Sequence, residues 1–93
     1  MDDAPLTDAE LEQLQTLLDA ASPAPWESFV EGRDHFGGDN FIRLGGFADS
    51  QPDMYVSHES RPAPPSDQDF IAAARNYLPR LLAEVTRSRS NAA

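Results

Sequence analysis

Two helical periodicities stand at opposite ends of this chain with a turn-rich stretch between them, and that arrangement limits the fold more than any other feature of the sequence. Thr7-Asp8-Ala9-Glu10 reads as a capping box, in which the Thr7 hydroxyl accepts from the Glu10 amide while the Glu10 carboxylate reaches back to the Thr7 amide; Leu6 and Leu11 hold the positions of a hydrophobic staple. Leu11, Leu14, Leu18 and Ala21 recur every three or four residues, Leu17 widens the stripe, and Glu12, Gln13, Thr16 and Asp19 fill the other side. This predicts a helix over residues 7–21, stopped by Ser22 because a residue before proline is biased out of the α region. At the other end, Ser66 is a candidate N-cap, with Asp67 and Asp69 in a first turn whose dipole favours negative charge. Phe70, Ile71, Ala74, Leu78, Leu81, Leu82 and Val85 then form a broad apolar face. A second helix over residues 66–87 follows, with Pro79 removing one backbone hydrogen bond and predicting a kink or split near Tyr77.

Short strands are expected in between. Glu27 to Val30, Phe41 to Leu44 and Met54 to Ser57 carry β-favouring residues bounded by turns at Gly32-Arg33-Asp34-His35, Gly37-Gly38-Asp39-Asn40 and Gly45-Gly46. Consecutive short strands prefer hairpins to crossovers, so the predicted class is α+β: an N-terminal helix, a two- or three-stranded antiparallel sheet, and a C-terminal helix kinked near Pro79, with both helices on one face of the sheet. Arg61-Pro62-Ala63-Pro64-Pro65 reads as an irregular surface connector. The expected core is Leu14, Leu18, Trp26, Phe70, Ile71, Ala74, Leu78 and Leu81. Residues 1–87 are expected to form one small domain and 88–93, which hold no core-forming side chain, a frayed tail.

Composition narrows function. At 93 residues the core is small, and with no cysteine there is neither a disulfide nor a thiolate site to support it, so helix packing, a sheet or a second copy of the chain must do so. A homodimer is one such route. The amino terminus has no basic n-region or apolar h-region, and no stretch approaches the roughly 18 apolar residues of a membrane span; the expectation is a cytoplasmic protein with no membrane partner. Net charge is −9, from sixteen acids against seven arginines and no lysine. Direct nucleic-acid binding needs a basic face that this balance withholds. Residues 1–32 hold eight acids and no base, whereas residues 75–93 hold Arg75, Arg80, Arg87 and Arg89 against Glu84, so the two ends should attract one another.

The segments Ser22-Pro23-Ala24-Pro25-Trp26 and Asp69-Phe70-Ile71-Ala72-Ala73-Ala74-Arg75-Asn76-Tyr77-Leu78-Pro79-Arg80-Leu81-Leu82 resemble a pattern, (S/T)PxPW followed by DxFIAAARxxLPxLL, found in small proteins of actinobacteria and tailed phages. The resemblance spans residues 20–26 and 69–84. It implies an accessory protein of phage or mobile-element type and brings no biochemical activity with it. Trp26 reads as a core anchor at the start of a strand, or else as a stacking platform for a ligand ring. For Arg75 and Asn76, an ion pair to an acid and repair of the turn broken by Pro79 compete with recognition of an anion.

No catalytic or metal pattern is present. His35 and His58 lack any ligand spacing for zinc, and Asp34, His35 and Asp39 are accounted for by turn chemistry. Gly37-Gly38-Asp39 lacks the lysine of a phosphate loop. Ser57-His58-Glu59 cannot form a relay, since neighbours on extended chain point to opposite faces. The expectation is therefore no enzyme, no cofactor and no metal: a non-catalytic protein that binds a protein partner through residues 32–65, with Arg33, His35, Phe36, Phe41, Phe47 and Tyr55 as the contact residues. Two alternatives stand beside it. One is an acidic inhibitor, an immunity protein or nucleic-acid mimic, with Asp8, Glu12 and Asp19 in partial register; the other is a small-molecule-binding or sponge protein with a pocket lined by Trp26, Phe41 and Tyr55.

Overall fold

Where the capping box begins, helix α1 begins. In the computed structural model, which describes residues 4–45 and 52–91, α1 runs Asp8–Ala20 with Thr7 as its N-cap. Thr7 Oγ1 accepts from the Glu10 amide at 3.1 Å and Glu10 Oε1 accepts from the Thr7 amide at 2.8 Å, so two amides of the first turn that lack helical partners are satisfied by one residue pair. Strands β1 (Glu27–Phe29), β2 (Phe41–Arg43) and β3 (Asp53–Met54) form a three-stranded antiparallel sheet in the order β1-β2-β3. A separate hairpin, β4 (Ser57–His58) with β5 (Arg61–Pro62), precedes helix α2 (Pro65–Asn91). The chain is an α+β protein.

The structure departs from the sequence expectations at several places. The third strand is shorter and starts earlier than predicted, at Asp53, and the supposed connector contributes Arg61 and Pro62 to the β4–β5 hairpin. Glu59 turns that hairpin at φ +51, a left-handed conformation that an unremarkable-looking Glu-Ser pair does not advertise. Helix α2 is entered two residues sooner than a Ser66 cap implies: Pro65 is its first residue, and the Pro64 carbonyl accepts from the Asp67 and Gln68 amides at 3.0 and 3.3 Å. Proline fits there because its missing N–H would have had no helical partner. The helix continues unbroken through Pro79 and on to Asn91, across residues 88–91 that the sequence assigns to a frayed tail.

The chain divides into two compact units, with the boundary in α2 between Tyr77 and Leu78. The first joins α1 to the C-terminal part of α2. There Arg89 donates to Asp8 Oδ1 at 3.4 Å and to the Leu6 carbonyl, which meets the expected attraction between the acidic start and the basic end. Its one buried side chain among the described residues is Leu82; Leu14, Leu18 and Leu78 are half-buried, and Leu81, expected in the core, is 55% exposed.

The second unit, Ser22–Tyr77, holds the main core: Ile42, Leu44 and Ala72, with Trp26, Met54, Val56 and Ile71 packed around them. Ile42 is fully buried on the face of the sheet that the N-terminal part of α2 covers. Phe70, expected in this core, is 73% exposed. The buried position two residues earlier belongs instead to Gln68, 1% exposed, whose Nε2 donates to Ser28 Oγ (2.9 Å) and to the carbonyls of Phe29 and Phe41 (3.1 Å each). A buried amide is tolerated because its donors are satisfied.

The Trp26 segment and the Arg75-Asn76 pair of α2 meet in this unit. Asn76 Oδ1 accepts from the Trp26 amide at 2.7 Å while Asn76 Nδ2 donates to the Trp26 carbonyl at 2.8 Å. Arg75 Nε and Trp26 Nε1 both donate to the Ser22 carbonyl, at 3.2 and 3.1 Å, and the guanidinium lies 6.0 Å from the centroid of the Trp26 ring. Asn76 thus holds the backbone of the Trp26 segment rather than repairing a broken helical turn, and Arg75 holds a carbonyl rather than an acid. Trp26 is half-buried and packs against the core.

Candidate binding surface

Pleating sends Ile42 and Met54 to the covered side of the sheet and Phe29, Phe41 and Arg43 to the other side, since alternate residues of a strand face opposite ways. Phe29 and Phe41 are direct register partners, and their rings stack with centroids 5.1 Å apart and planes inclined by 11°. The Phe41 ring also meets His35 at 5.5 Å and Tyr55 at 6.4 Å, both tilted. Arg43 lies over this row, its guanidinium carbon 4.8 Å from the Phe29 centroid and 5.9 Å from that of Phe41. The outward side of the sheet is therefore an aromatic row under one cation, an arrangement with both stacking and cation–π character.

The turn from Val30 to His35 sets the edge of this surface. The amides of Arg33 and Asp34 donate to the Val30 carbonyl, the Val30 amide donates to Asp34 Oδ2 at 2.8 Å, and Gly32 takes φ +86, where a side chain would be strained. Arg33 places a two-pronged contact on Asp69 of α2, Nη1 to Oδ2 at 2.8 Å and Nη2 to Oδ1 at 2.9 Å, with Nε on Asp34 Oδ2 at 2.9 Å. The guanidinium holds the Asp69 carboxyl down to about 2, helped by the Ser28 hydroxyl. It also lowers Asp34, with the Val30 amide adding to the effect, and the two carboxylates in turn raise Arg33. His35 sits half-buried behind Phe41: its Nδ1 meets the Gly37 carbonyl at 2.9 Å, and Nε2 is buried without a hydrogen-bond partner.

Of the six predicted contact residues, three gather at this surface. His35 and Phe41 are half-buried within the row, Tyr55 ends it at 61% exposed, and Phe36 projects from the neighbouring turn at 86% exposed. Arg33 lies at the edge with its donors committed to Asp34 and Asp69. Phe47 falls outside the described residues. Phe29 and Arg43 belong to the surface and were not singled out from the sequence; the register of β1 against β2, once assigned, would have placed both beside Phe41. Trp26 packs against the Ile42, Leu44 and Ala72 cluster, whereas Phe41 and Tyr55 meet on the outward side of the sheet. Tyr55 instead lines a hollow of about 210 Å³ with Asp39, Asn40, Val56, Ser57 and Pro62.

Among the described residues no three His, Asp or Glu side chains gather as a metal site, and none of the helices is long and apolar enough to cross a membrane. Asp34 is engaged by the Val30 amide and Arg33, and His35 by Gly37, in keeping with turn chemistry. Neither protein-family models, nor curated proteins, nor solved structures give a match to this chain.

Proposed function

We propose that this chain is a non-catalytic binding protein that engages a protein partner through the outward side of the β1–β2–β3 sheet and the adjoining turn at Phe36, acting in the cytoplasm as an accessory protein of phage or mobile-element type. The observation that carries the reading is the aromatic row itself. Phe29 and Phe41 lie under Arg43 with Tyr55 against Phe41, and Phe36 of the neighbouring turn is almost wholly in water. Aromatic side chains and arginine are the residues enriched in the centres of protein interfaces, where they contribute large contact area with few rotatable bonds. A contiguous exposed patch of this kind is seldom left uncovered without a use. The charge of −9 argues against a nucleic-acid strand as the stacking partner, because the single Arg43 over the row falls short of the basic face that phosphate neutralisation needs.

The test is affinity capture from the native host with wild type, with a Phe36→Ala/Arg43→Ala/Tyr55→Ala variant, and with an Asp8→Asn/Glu12→Gln/Asp19→Asn variant. The aromatic-face variant should lose the captured protein and the acid-neutral one should keep it. The reverse pattern would overturn the proposal and favour an acidic inhibitor.

A further inference from the structure

The outward side of the sheet carries a charged row beside the aromatic one. Arg43 has Glu27 of β1 and Asp53 of β3 as its direct register partners, so these three exposed side chains leave the sheet on one side in the order acid, base, acid. Two residues along from them stand Phe29, Phe41 and Tyr55. Opposite charges at directly facing positions of neighbouring strands ordinarily pair. Arg43 pairs with neither: its guanidinium lies over the Phe29 and Phe41 rings, and among the described residues no cation meets Glu27 or Asp53. Asp39, which no cation meets either among those residues, lines the hollow of about 210 Å³ beside Tyr55. The one base of this side is occupied by the rings, and the acids around it face water.

On the reading that this side of the sheet binds a protein, we propose that the partner segment it takes is basic, with two cationic side chains about 10 Å apart, twice the spacing of neighbouring strands, set on Glu27 and Asp53. The apolar part of the segment and the stems of its long side chains lie along Phe29, Phe41 and Tyr55. Arg43 stands between the two acids and fixes that spacing, because a cation placed centrally would meet it head-on. An acidic segment fits poorly: a carboxylate offered to Arg43 would be attracted by one charge and repelled by two. The net charge of −9 adds long-range attraction for a basic segment and disfavours an acidic one.

The probe is a capped peptide in which two arginines flank a pair of prolines, a polyproline II segment that holds the arginines about 9 Å apart on one side. It is titrated into the isotope-labelled full chain, with citrulline and glutamate analogues as neutral and acidic controls. The arginine peptide should perturb the resonances of Glu27, Phe29, Phe41, Arg43 and Asp53 with a Kd of about 1 mM or tighter, and the citrulline and glutamate analogues should bind about 5-fold more weakly or not at all. Glu27→Gln/Asp53→Asn should weaken the arginine peptide by about 5-fold with the melting temperature unchanged, and Glu27→Lys/Asp53→Lys should turn the preference toward the glutamate analogue. No perturbation of these residues at about 5 mM arginine peptide, tighter binding of the glutamate analogue to the wild-type chain, or an affinity indifferent to Glu27→Gln/Asp53→Asn would overturn the proposal. Affinity capture separates its failure from that of the sheet face. A partner lost by the aromatic-face variant but kept by Glu27→Gln/Asp53→Asn leaves the face as the interface and removes the basic segment; a partner kept by the aromatic-face variant removes the interface itself.

Discussion

Gln68 shows most plainly how one polar side chain organises the core. Its amide nitrogen serves the Ser28 hydroxyl on β1 and the carbonyls of Phe29 and Phe41 on adjacent strands. Gln68→Leu keeps the volume but leaves those acceptors without their donor, and should cost about 1–3 kcal/mol in urea unfolding. Asp69 tests the electrostatics one residue later. Its folded pKa is depressed to about 2 by Arg33, so its contribution to stability is present above the ordinary carboxylate value and is lost as pH falls from about 4 to about 2. Arg33 and Asp69 side chains are 48% and 41% exposed, so solvent screening holds that contribution to about 1 kcal/mol or less. Asp69→Asn should flatten the stability profile over that window and leave it nearly parallel to wild type above pH 5; an unchanged acid limb would show that the contact does not form in solution. Phe36→Ala and Tyr55→Ala, at exposed positions, should each shift stability by about 0.5 kcal/mol or less.

At the scale of elements, Asn76 ties α2 to the segment that leads into β1 through a reciprocal pair of hydrogen bonds with Trp26. Asn76→Ala should cost about 1–3 kcal/mol and shift the emission of Trp26, the sole tryptophan, since both its backbone groups lose their partner. Ile42→Ala, at a fully buried site in the central strand, should cost about 2–5 kcal/mol. Much of this architecture was legible in the sequence. The capping box fixed the start of α1 because it depends on residues three apart, and the antiparallel sheet followed from short strands separated by glycine turns. The β4–β5 hairpin was not legible, because strands of two residues carry no periodicity and Pro62 speaks against a strand. Phe70 lies outside its expected place in the core for a related reason: the apolar stripe of α2 is broad, and hydrophobicity alone does not reveal that a satisfied glutamine occupies the position facing β1 and β2.

For the molecule as a whole, the sequence indicated an acidic chain with unlike ends and an aromatic centre, and the fold turns that composition into surfaces of distinct character. Phe36, Phe41 and Tyr55 could be marked as candidates because the strand pattern left them unassigned to the core. The assembly of Phe41 and Tyr55 into one row with Phe29 and Arg43 depended on strand register, which residues far apart in sequence set together. Partner identity is not written in one chain, since an aromatic row under a cation suits many protein surfaces. The most direct test is chemical-shift mapping of the isotope-labelled chain titrated with the protein that affinity capture identifies. A partner-binding sheet face predicts that the largest perturbations fall on Phe29, Phe36, Phe41, Arg43 and Tyr55, with α1 little changed; perturbations centred on Asp8, Glu12 and Asp19, and an undisturbed aromatic row, would contradict it.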